Sequence, residues 1–241
     1  MRSVRIPVLL VTALTLLGGC SGAPDPTPAT GPGALAHATG DAAASNEPTP
    51  RPTPVDVRAL TPPELQNRWW SWAGSTPMER NPVADPDGRH CGEGQQEGIW
   101  LLAGTFGTTT TRHCTVPAGT PIVFPVINMY GKSSDCLVFM NDGRGSAVLD
   151  GKNLPLEELG ATQIRPERVP GGPVSGDRDF NNSWACGLWV RLDGLTPGPH
   201  EIVVRGSSGS FSTGVDYWLA ATEDPTAVSK AQTDRTGQPA V

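Results

Sequence analysis

No short motif in this 241-residue sequence names a reaction. The chain has no Gly-x-Ser-x-Gly turn, no Ser-x-x-Lys, no His-Glu-x-x-His and no Gly-x-x-x-x-Gly-Lys-Ser/Thr loop. Those patterns would indicate a serine nucleophile, a catalytic zinc or a bound nucleotide phosphate. His90, His113 and His200 are too few and too scattered to suggest a catalytic triad. The sequence therefore predicts no cofactor and favours a protein that is not an enzyme.

Clustered positive charge is also lacking. The formal net charge is −6, and no group of Lys and Arg occurs after the first five residues. A protein that follows a phosphate backbone needs such a group, because phosphate contacts supply most of the affinity for nucleic acid. The composition therefore excludes nucleic acid as an expected partner.

Long apolar runs are absent except at the N-terminus. Residues 6–17 form an apolar stretch after Arg2 and Arg5, and Leu17-Gly18-Gly19-Cys20 follows it, which predicts a signal peptide over residues 1–20. Its end resembles the bacterial lipobox, and the resemblance implies cleavage before Cys20 and a lipid on its sulfur. We expect this lipid to be the only membrane anchor, on the outer face of the bacterial cytoplasmic membrane. The alternative is an ordinary secretory signal with an incidental cysteine.

Pro, Ala, Thr and Gly dominate residues 21–58. Such a segment buries too little apolar surface to offset its ordering entropy, so it predicts a disordered tether that holds the domain away from the membrane. Residues 59–223 form the predicted folded domain, and residues 224–241 a disordered tail.

The folded domain is predicted to open with a short helix. Thr61 can act as its N-cap, with prolines next and a glutamate three residues later, which makes a capping box. Leu65, Trp69 and Trp72 share one helical face, which should cover one side of a sheet. Trp70 points elsewhere and either joins the core or offers an aromatic surface to sugar rings.

Short apolar or alternating runs separated by turn residues predict strands at residues 99–103, 108–116, 122–127, 146–149, 186–192, 201–205 and 215–221. The run at 99–103 is unbroken and indicates a strand covered on both faces. Pro125 predicts a bulge or an edge position, and residues 154–159 a single helical turn. The expected fold is an all-β, disulfide-stabilised antiparallel β-sandwich, immunoglobulin-like or jelly-roll, with one short N-terminal helix.

Four cysteines remain after Cys20, an even number that predicts two disulfides in an exported domain. Of the three connectivities we favour Cys91 with Cys114 and Cys136 with Cys186. The alternative is zinc, because His90 and His113 precede the first two of these cysteines. Neighbouring strand residues point to opposite faces, which makes a shared ion difficult to form.

Acidic residues suggest two further kinds of site, a calcium site and a catalytic pair of carboxylates. Asp85, Asp87 and Glu93 offer oxygen ligands for calcium in a Gly-rich loop, but the loop lacks the ligand spacing of a calcium motif. Glycoside hydrolysis uses carboxylates in pairs, and the sequence offers two acidic pairs, Glu157 with Glu158 and Asp177 with Asp179.

The loop at residues 177–184 carries the predicted ligand site. It combines charges, amides and aromatics, as carbohydrate binding requires, since aromatic faces stack on sugars and amides bind hydroxyls. The candidate binding residues are Asp177, Asp179, Asn181, Asn182 and Trp184. The alternative places Trp184 in the core.

Two family resemblances extend over the domain. Trp69-Trp70-x-Trp72, Cys91-Gly-x-Gly-Gln95, Trp100-Leu-Leu-Ala-Gly104, Arg112-x-Cys114-Thr-Val-Pro-Ala-Gly119 and Phe124-Pro-Val-Ile-Asn128 resemble an uncharacterised exported bacterial family labelled "signal protein". That resemblance implies no activity and no site residues. Residues 193–219, where Pro-Gly-Pro-His opens a strand, resemble the last strands of immunoglobulin-like and fibronectin-type modules.

These observations predict a membrane-anchored extracytoplasmic module that binds carbohydrate of the cell envelope. The alternatives are a cell-wall polymer hydrolase that uses paired carboxylates, and a structural or protein-binding lipoprotein without a small ligand.

Overall fold

A computed structural model describes residues 51–173, 183–224 and 226–230. It contains two helices, α1 (Pro62–Gly74) and α2 (Ser133–Asn141), and a 3-10 turn at Met78–Arg80. The strands are β1 (Trp100–Leu101), β2 (Thr109–Pro117), β3 (Ile122–Gly131), β4 (Arg144–Leu149), β5 (Lys152–Asn153), β6 (Glu157–Ile164), β7 (Ser183–Leu192), β8 (Gly198–Ser208) and β9 (Phe211–Thr222). Among the residues described, no helix has the length and apolar character needed to cross a bilayer.

The strands form two sheets, which confirms the all-β class. One has the order β1-β3-β7-β6 and the other β2-β9-β8-β4-β5. The predicted antiparallel arrangement is wrong in part, because β1 pairs with β3 and β2 with β9 in parallel. β8 and β9 form an antiparallel hairpin, and β2 occupies the free edge of β9. Pairing between strands this distant in sequence leaves no local signal.

The two sheets share one hydrophobic core, as in a sandwich. Phe124 and Val190 come from the four-stranded sheet, and Ile202 and Tyr217 from the five-stranded sheet. The sheets approach most closely where Gly145 and Gly206 face each other in the β4–β8 register. A Cβ atom at either glycine would overlap the side chains of β3. The bulge predicted at Pro125 is confirmed by a register shift in β3.

A tryptophan-rich layer under α1 covers the other face of the four-stranded sheet. Trp69 packs edge-on against Trp72 and Trp189, and its indole N–H donates to the carbonyl of Leu102 at 2.9 Å. The predicted capping box is present at the N-terminus of the helix. Trp70 is 8% exposed and packs against Tyr130, so its interpretation as a surface for sugars is wrong.

The run at residues 99–103 is buried on both faces, as predicted. Trp100 and Leu102 belong to the core between the sheets, and Ile99, Leu101 and Ala103 to the layer under α1. Only Trp100–Leu101 pairs as a strand.

Two helix predictions fail. Residues 154–159 do not form a helical turn, because β6 begins at Glu157. The expectation of a single helix missed α2, in which Cys136 is the only buried residue and Leu137 and Val138 are more than 70% exposed. A helix with this pattern shows no apolar periodicity in its sequence.

The structure contains the two favoured disulfides, Cys91–Cys114 and Cys136–Cys186. The first removes both cysteines from the zinc hypothesis, which is therefore wrong. In the described residues, no group of three or more possible metal ligands occurs.

The carboxylates proposed as calcium ligands already have hydrogen-bond or ion-pair partners within the protein. Asp85 is 2% exposed, and its oxygens accept the backbone N–H groups of Asp87, Gly88 and His90. The hydrogen bond from the Arg89 guanidinium lowers the pKa of Asp87 to about 2. Glu93 forms an ion pair with Arg80 at 3.0 Å. These partners leave the calcium hypothesis without support.

Both ends of the predicted domain extend further than expected. Val57 is 2% exposed, and Val55 donates its N–H to the carbonyl of Gly98 at 2.8 Å, so residues 51–58 lie against the domain rather than in the tether. Residues 226–230 are helical, and Val228 joins the core between the sheets. A few valines supply the apolar surface that orders each end.

His200 links two turns at one end of the five-stranded sheet. Its Nδ1 lies 2.7 Å from Asp150 Oδ2 and its Nε2 lies 2.9 Å from the carbonyl oxygen of Thr196. Both partners only accept hydrogen bonds, so His200 completes both bonds only when both ring nitrogens are protonated. Burial has the largest single effect and opposes this charge, but the hydrogen bonds to Asp150 and to the Thr196 carbonyl and the negative charge of Asp150 together outweigh it and raise the pKa of His200.

This link predicts a pH-dependent stability. Burial also opposes charge on Asp150, yet the bonds from Glu201 N–H and His200 lower the pKa of Asp150. The stabilisation is complete between the ordinary pKa values of about 3.9 and 6.5, and is lost as pH rises through the raised pKa of His200. The unsubstituted chain should have a larger free energy of unfolding than His200→Gln at pH 5.5. We expect this difference to shrink measurably, by no more than about 1 kcal/mol, between pH 5.5 and pH 9. Urea unfolding at both pH values measures it, and an unchanged difference would contradict the charged link.

Candidate binding face

The outer face of the five-stranded sheet is the candidate site. Inward-pointing residues of this sheet, such as Val204, Val215 and Leu219, belong to the core. The alternate residues point away from the core. The four-stranded sheet, in contrast, has its outer face under α1. We call this surface of the five-stranded sheet the outer face.

Trp218 lies on β9, next to the edge strand β2, and is 49% exposed. The strand register aligns it with His113 on β2 and with Glu201 on β8. The next row of the register consists of Thr115, Ala220 and Pro199. These neighbours are smaller than the indole, which is half-exposed and can therefore contact a flat ligand.

A polar depression lies at one end of the same sheet, with a volume of about 420 Å³. Two arginines, hydroxyl side chains and two glycines surround it. The lining residues are Thr109, Arg144, Gly145, Ser146, Arg205, Gly206, Ser207, Ser212 and Thr213. No apolar side chain and no carboxylate belongs to this lining, so the polar depression suits a hydrogen-bonding ligand rather than an apolar one.

Trp218 and the polar depression are aligned along β9. Gly214 pairs with both Thr109 and Arg205, two residues that line the polar depression. Trp218 is four positions after Gly214, which is about 13 Å along a strand. An extended ligand lying along β9 can therefore contact both.

The two arginines of the polar depression differ in their partners. Arg205 forms an ion pair with Asp216 at 2.6 Å and donates to the carbonyl of Val204 at 2.8 Å. Arg144 is exposed, and its Nε lies 3.4 Å from the carbonyl oxygen of Asp142. Within the described part of the chain, no ion pair includes Arg144.

Among the residues described, the adjacent carboxylates Glu157 and Glu158 do not form a catalytic pair. Glu157 and Glu158 are consecutive on β6 and point to opposite faces. Glu157 accepts two hydrogen bonds from the Arg191 guanidinium, at 2.7 and 3.1 Å. Glu201 and Asp216 occupy the flat outer face, apart from the lining of the polar depression. A pair of carboxylates that flanks a glycosidic bond needs an enclosing site.

Most of the ligand site predicted from the sequence falls outside the described residues. Asp177, Asp179, Asn181 and Asn182 belong to that undescribed part. Trp184 is half-buried near the start of β7, where it pairs with Gly131 and Gln163. It therefore lies on the four-stranded sheet, not on the outer face.

Trp218 is a candidate binding residue that the sequence did not single out. The strand predicted at residues 215–221 carried the signal for it. Val215, Tyr217 and Leu219 alternate inward, which places Trp218 on the opposite face. The polar depression had no such signal, because distant strands assemble it.

Comparisons with known proteins add no relative. No protein-family model matches the chain, and neither the curated proteins nor the solved structures contain a match.

Proposed function

We propose that this chain is an exported lipoprotein whose β-sandwich domain binds carbohydrate of the cell envelope through the outer face. The observation that carries the proposal is the half-exposed Trp218 in a row with His113 and Glu201. The C–H face of a pyranose ring packs on an exposed indole, and flanking polar groups bind its hydroxyls. A buried indole could do neither.

Export and lipid anchoring belong to this proposal. The signal-peptide pattern that ends at Cys20 supports them, and so do the two disulfides, which form and persist in oxidising compartments. The anchor places the domain at the outer face of the bacterial cytoplasmic membrane, within reach of wall polymers.

The finer fold type is also part of the proposal. The pattern similar to immunoglobulin-like modules covers β8 and β9, and these strands form an antiparallel hairpin that begins at Gly198. This hairpin supports the immunoglobulin-like type over the jelly-roll.

Trp218→Ala tests the proposal. We expect the full-length chain, purified in detergent, to be retained on insoluble bacterial cell-wall glycan. The variant should bind at least about tenfold more weakly. Binding isotherms from co-sedimentation measure the difference. Trp218→Phe keeps an aromatic ring and should retain most of the affinity.

The matched control is Leu137→Ala, which removes an exposed apolar side chain from α2. It should leave retention unchanged. Equal retention of Trp218→Ala and the unsubstituted chain would contradict the proposed face. If the chain is not retained at all, carbohydrate binding itself is wrong and a protein-binding role is favoured.

The segment at residues 177–184, predicted from the sequence as a ligand site, is the second candidate site for the same function. Its supporting observation is that Trp184 is only half-buried. Trp184→Ala and Asn182→Ala in the same assay separate the two sites. Loss of retention in these variants, with Trp218→Ala unaffected, would move the site to this loop.

A further inference from the structure

We infer that the outer face binds an acidic glycan, and that the polar depression receives its anionic substituent, a carboxylate or a phosphate ester. The inference rests on the proposed function, because it names the class of carbohydrate bound by that same face. It rests on three observations: the composition of the polar depression, the lack of an ion-pair partner for Arg144 among the described residues, and the alignment of the polar depression with Trp218.

The first step is the local charge. The chain as a whole carries a net charge of −6. The lining of the polar depression includes two arginines and no carboxylate. A depression that carries positive charge on an acidic protein favours an anion locally.

The second step is the division of labour between the two arginines. Arg205 is already neutralised by Asp216, which fixes its side chain on the outer face. Arg144 has no carboxylate within ion-pair distance among the residues described. A guanidinium offers a planar fork of donors that matches a carboxylate or a phosphate. Arg144 is therefore the group that would bind the anionic substituent.

The third step is the surrounding donors. Ser146, Ser207 and Ser212 line the polar depression beside Arg144. Their hydroxyls can donate to the remaining oxygens of a carboxylate or a phosphate. Neutral sugar hydroxyls would satisfy these serines, but they would leave the charge of Arg144 without a counter-charge.

The last step is geometry. The polar depression lies about 13 Å along β9 from Trp218, at about 3.3 Å per residue. A polymer whose one residue stacks on Trp218 therefore places a later residue at Arg144. A single sugar could not make both contacts, so the inference selects a polymer.

The test compares acidic polymers with neutral forms of the same polymers. One pair is polygalacturonic acid and its fully methyl-esterified form; the other is a phosphomannan and the same mannan after dephosphorylation. We expect the full-length chain in detergent to prefer the acidic member of at least one pair about tenfold at low salt, and the pair that shows the preference identifies the anion. Added salt should reduce this preference.

Arg144→Gln should abolish the preference, because it should weaken binding to the acidic member about tenfold more than binding to the neutral member. The matched control is Arg165→Gln, which removes the same charge from an exposed position after β6 and should keep the preference. An equal preference in Arg144→Gln and the unsubstituted chain would overturn the role of Arg144. Equal binding of acidic and neutral members, with Trp218→Ala still defective, would overturn the acidic class and leave the proposed function intact. If no polymer of either pair binds but the chain is retained on cell-wall glycan, the acidic class is wrong and the proposed function stands; if cell-wall glycan does not retain it either, both fail.

Discussion

Arg112→Met is expected to lower the free energy of unfolding by about 3 to 5 kcal/mol. Arg112 is 1% exposed. Its guanidinium has no carboxylate partner among the described ion pairs and is held by neutral acceptors.

The hydrogen bonds of Arg112 join three parts of the chain. Nε donates to the carbonyl of Asp85 at 2.8 Å, Nη2 to Val83 at 3.1 Å, and Nη1 to both Ala103 and the Tyr217 hydroxyl at 2.9 Å. Ala103 also accepts from Tyr217 at 2.7 Å and keeps that partner after substitution. The carbonyls of Asp85 and Val83 lose theirs, and each buried acceptor without a partner costs about 1 to 3 kcal/mol.

Urea unfolding measures the loss, and two variants define its cause. Arg112→Lys keeps the charge but not the fork of donors, so we expect an intermediate loss that still allows folding. Arg165→Met replaces an exposed arginine and should change the stability by less than about 0.5 kcal/mol. A loss below about 1 kcal/mol in Arg112→Met would show that the loop at residues 81–96 is held by other contacts.

Arg112 illustrates what strand periodicity can predict and what it cannot. Alternation along β2 places it on the buried face with Cys114 and Val116, and the same rule applied to β9 places Trp218 outside. Periodicity therefore predicts which face each side chain occupies. It does not predict the acceptors of Arg112, because those carbonyls lie in distant segments that only the folded chain brings together.

The elements that the sequence predicted well are those with local signals. The cap at Thr61 and the apolar face of α1 are encoded within a few residues, and so is the bulge at Pro125. The parallel pairing of β2 with β9 has no local signal, since the partners are about a hundred residues apart. The polar depression could not be predicted from the sequence for the same reason, because β2, β4, β8 and β9 all contribute to it.

α2 is the element with the least local encoding, and its attachment leads to the second large prediction. Cys136 is its only buried residue, and the helix has nine residues. A helix of this length is not stable alone in water, so contacts with the rest of the domain must hold it. One of them is the bond from the Ser208 hydroxyl to the carbonyl of Phe139, at 2.6 Å. The covalent contact is the disulfide from Cys136 to Cys186 on β7.

Replacing Cys136 and Cys186 together by alanine is expected to lower the free energy of unfolding by about 4 kcal/mol, because the disulfide closes a loop with a sequence separation of 50. The matched control replaces Cys91 and Cys114, whose separation of 23 predicts about 3 kcal/mol. Urea unfolding measures both losses.

The two variants should differ more in where the loss acts than in its size. Without the Cys136 link, α2 keeps few buried apolar contacts, since Leu137 and Val138 face solvent. Hydrogen exchange at residues 133–141 should therefore accelerate well before global unfolding, whereas it should stay protected in the Cys91 and Cys114 variant. Equal protection of α2 in both variants would mean that packing against the sheets, rather than the disulfide, fixes this helix.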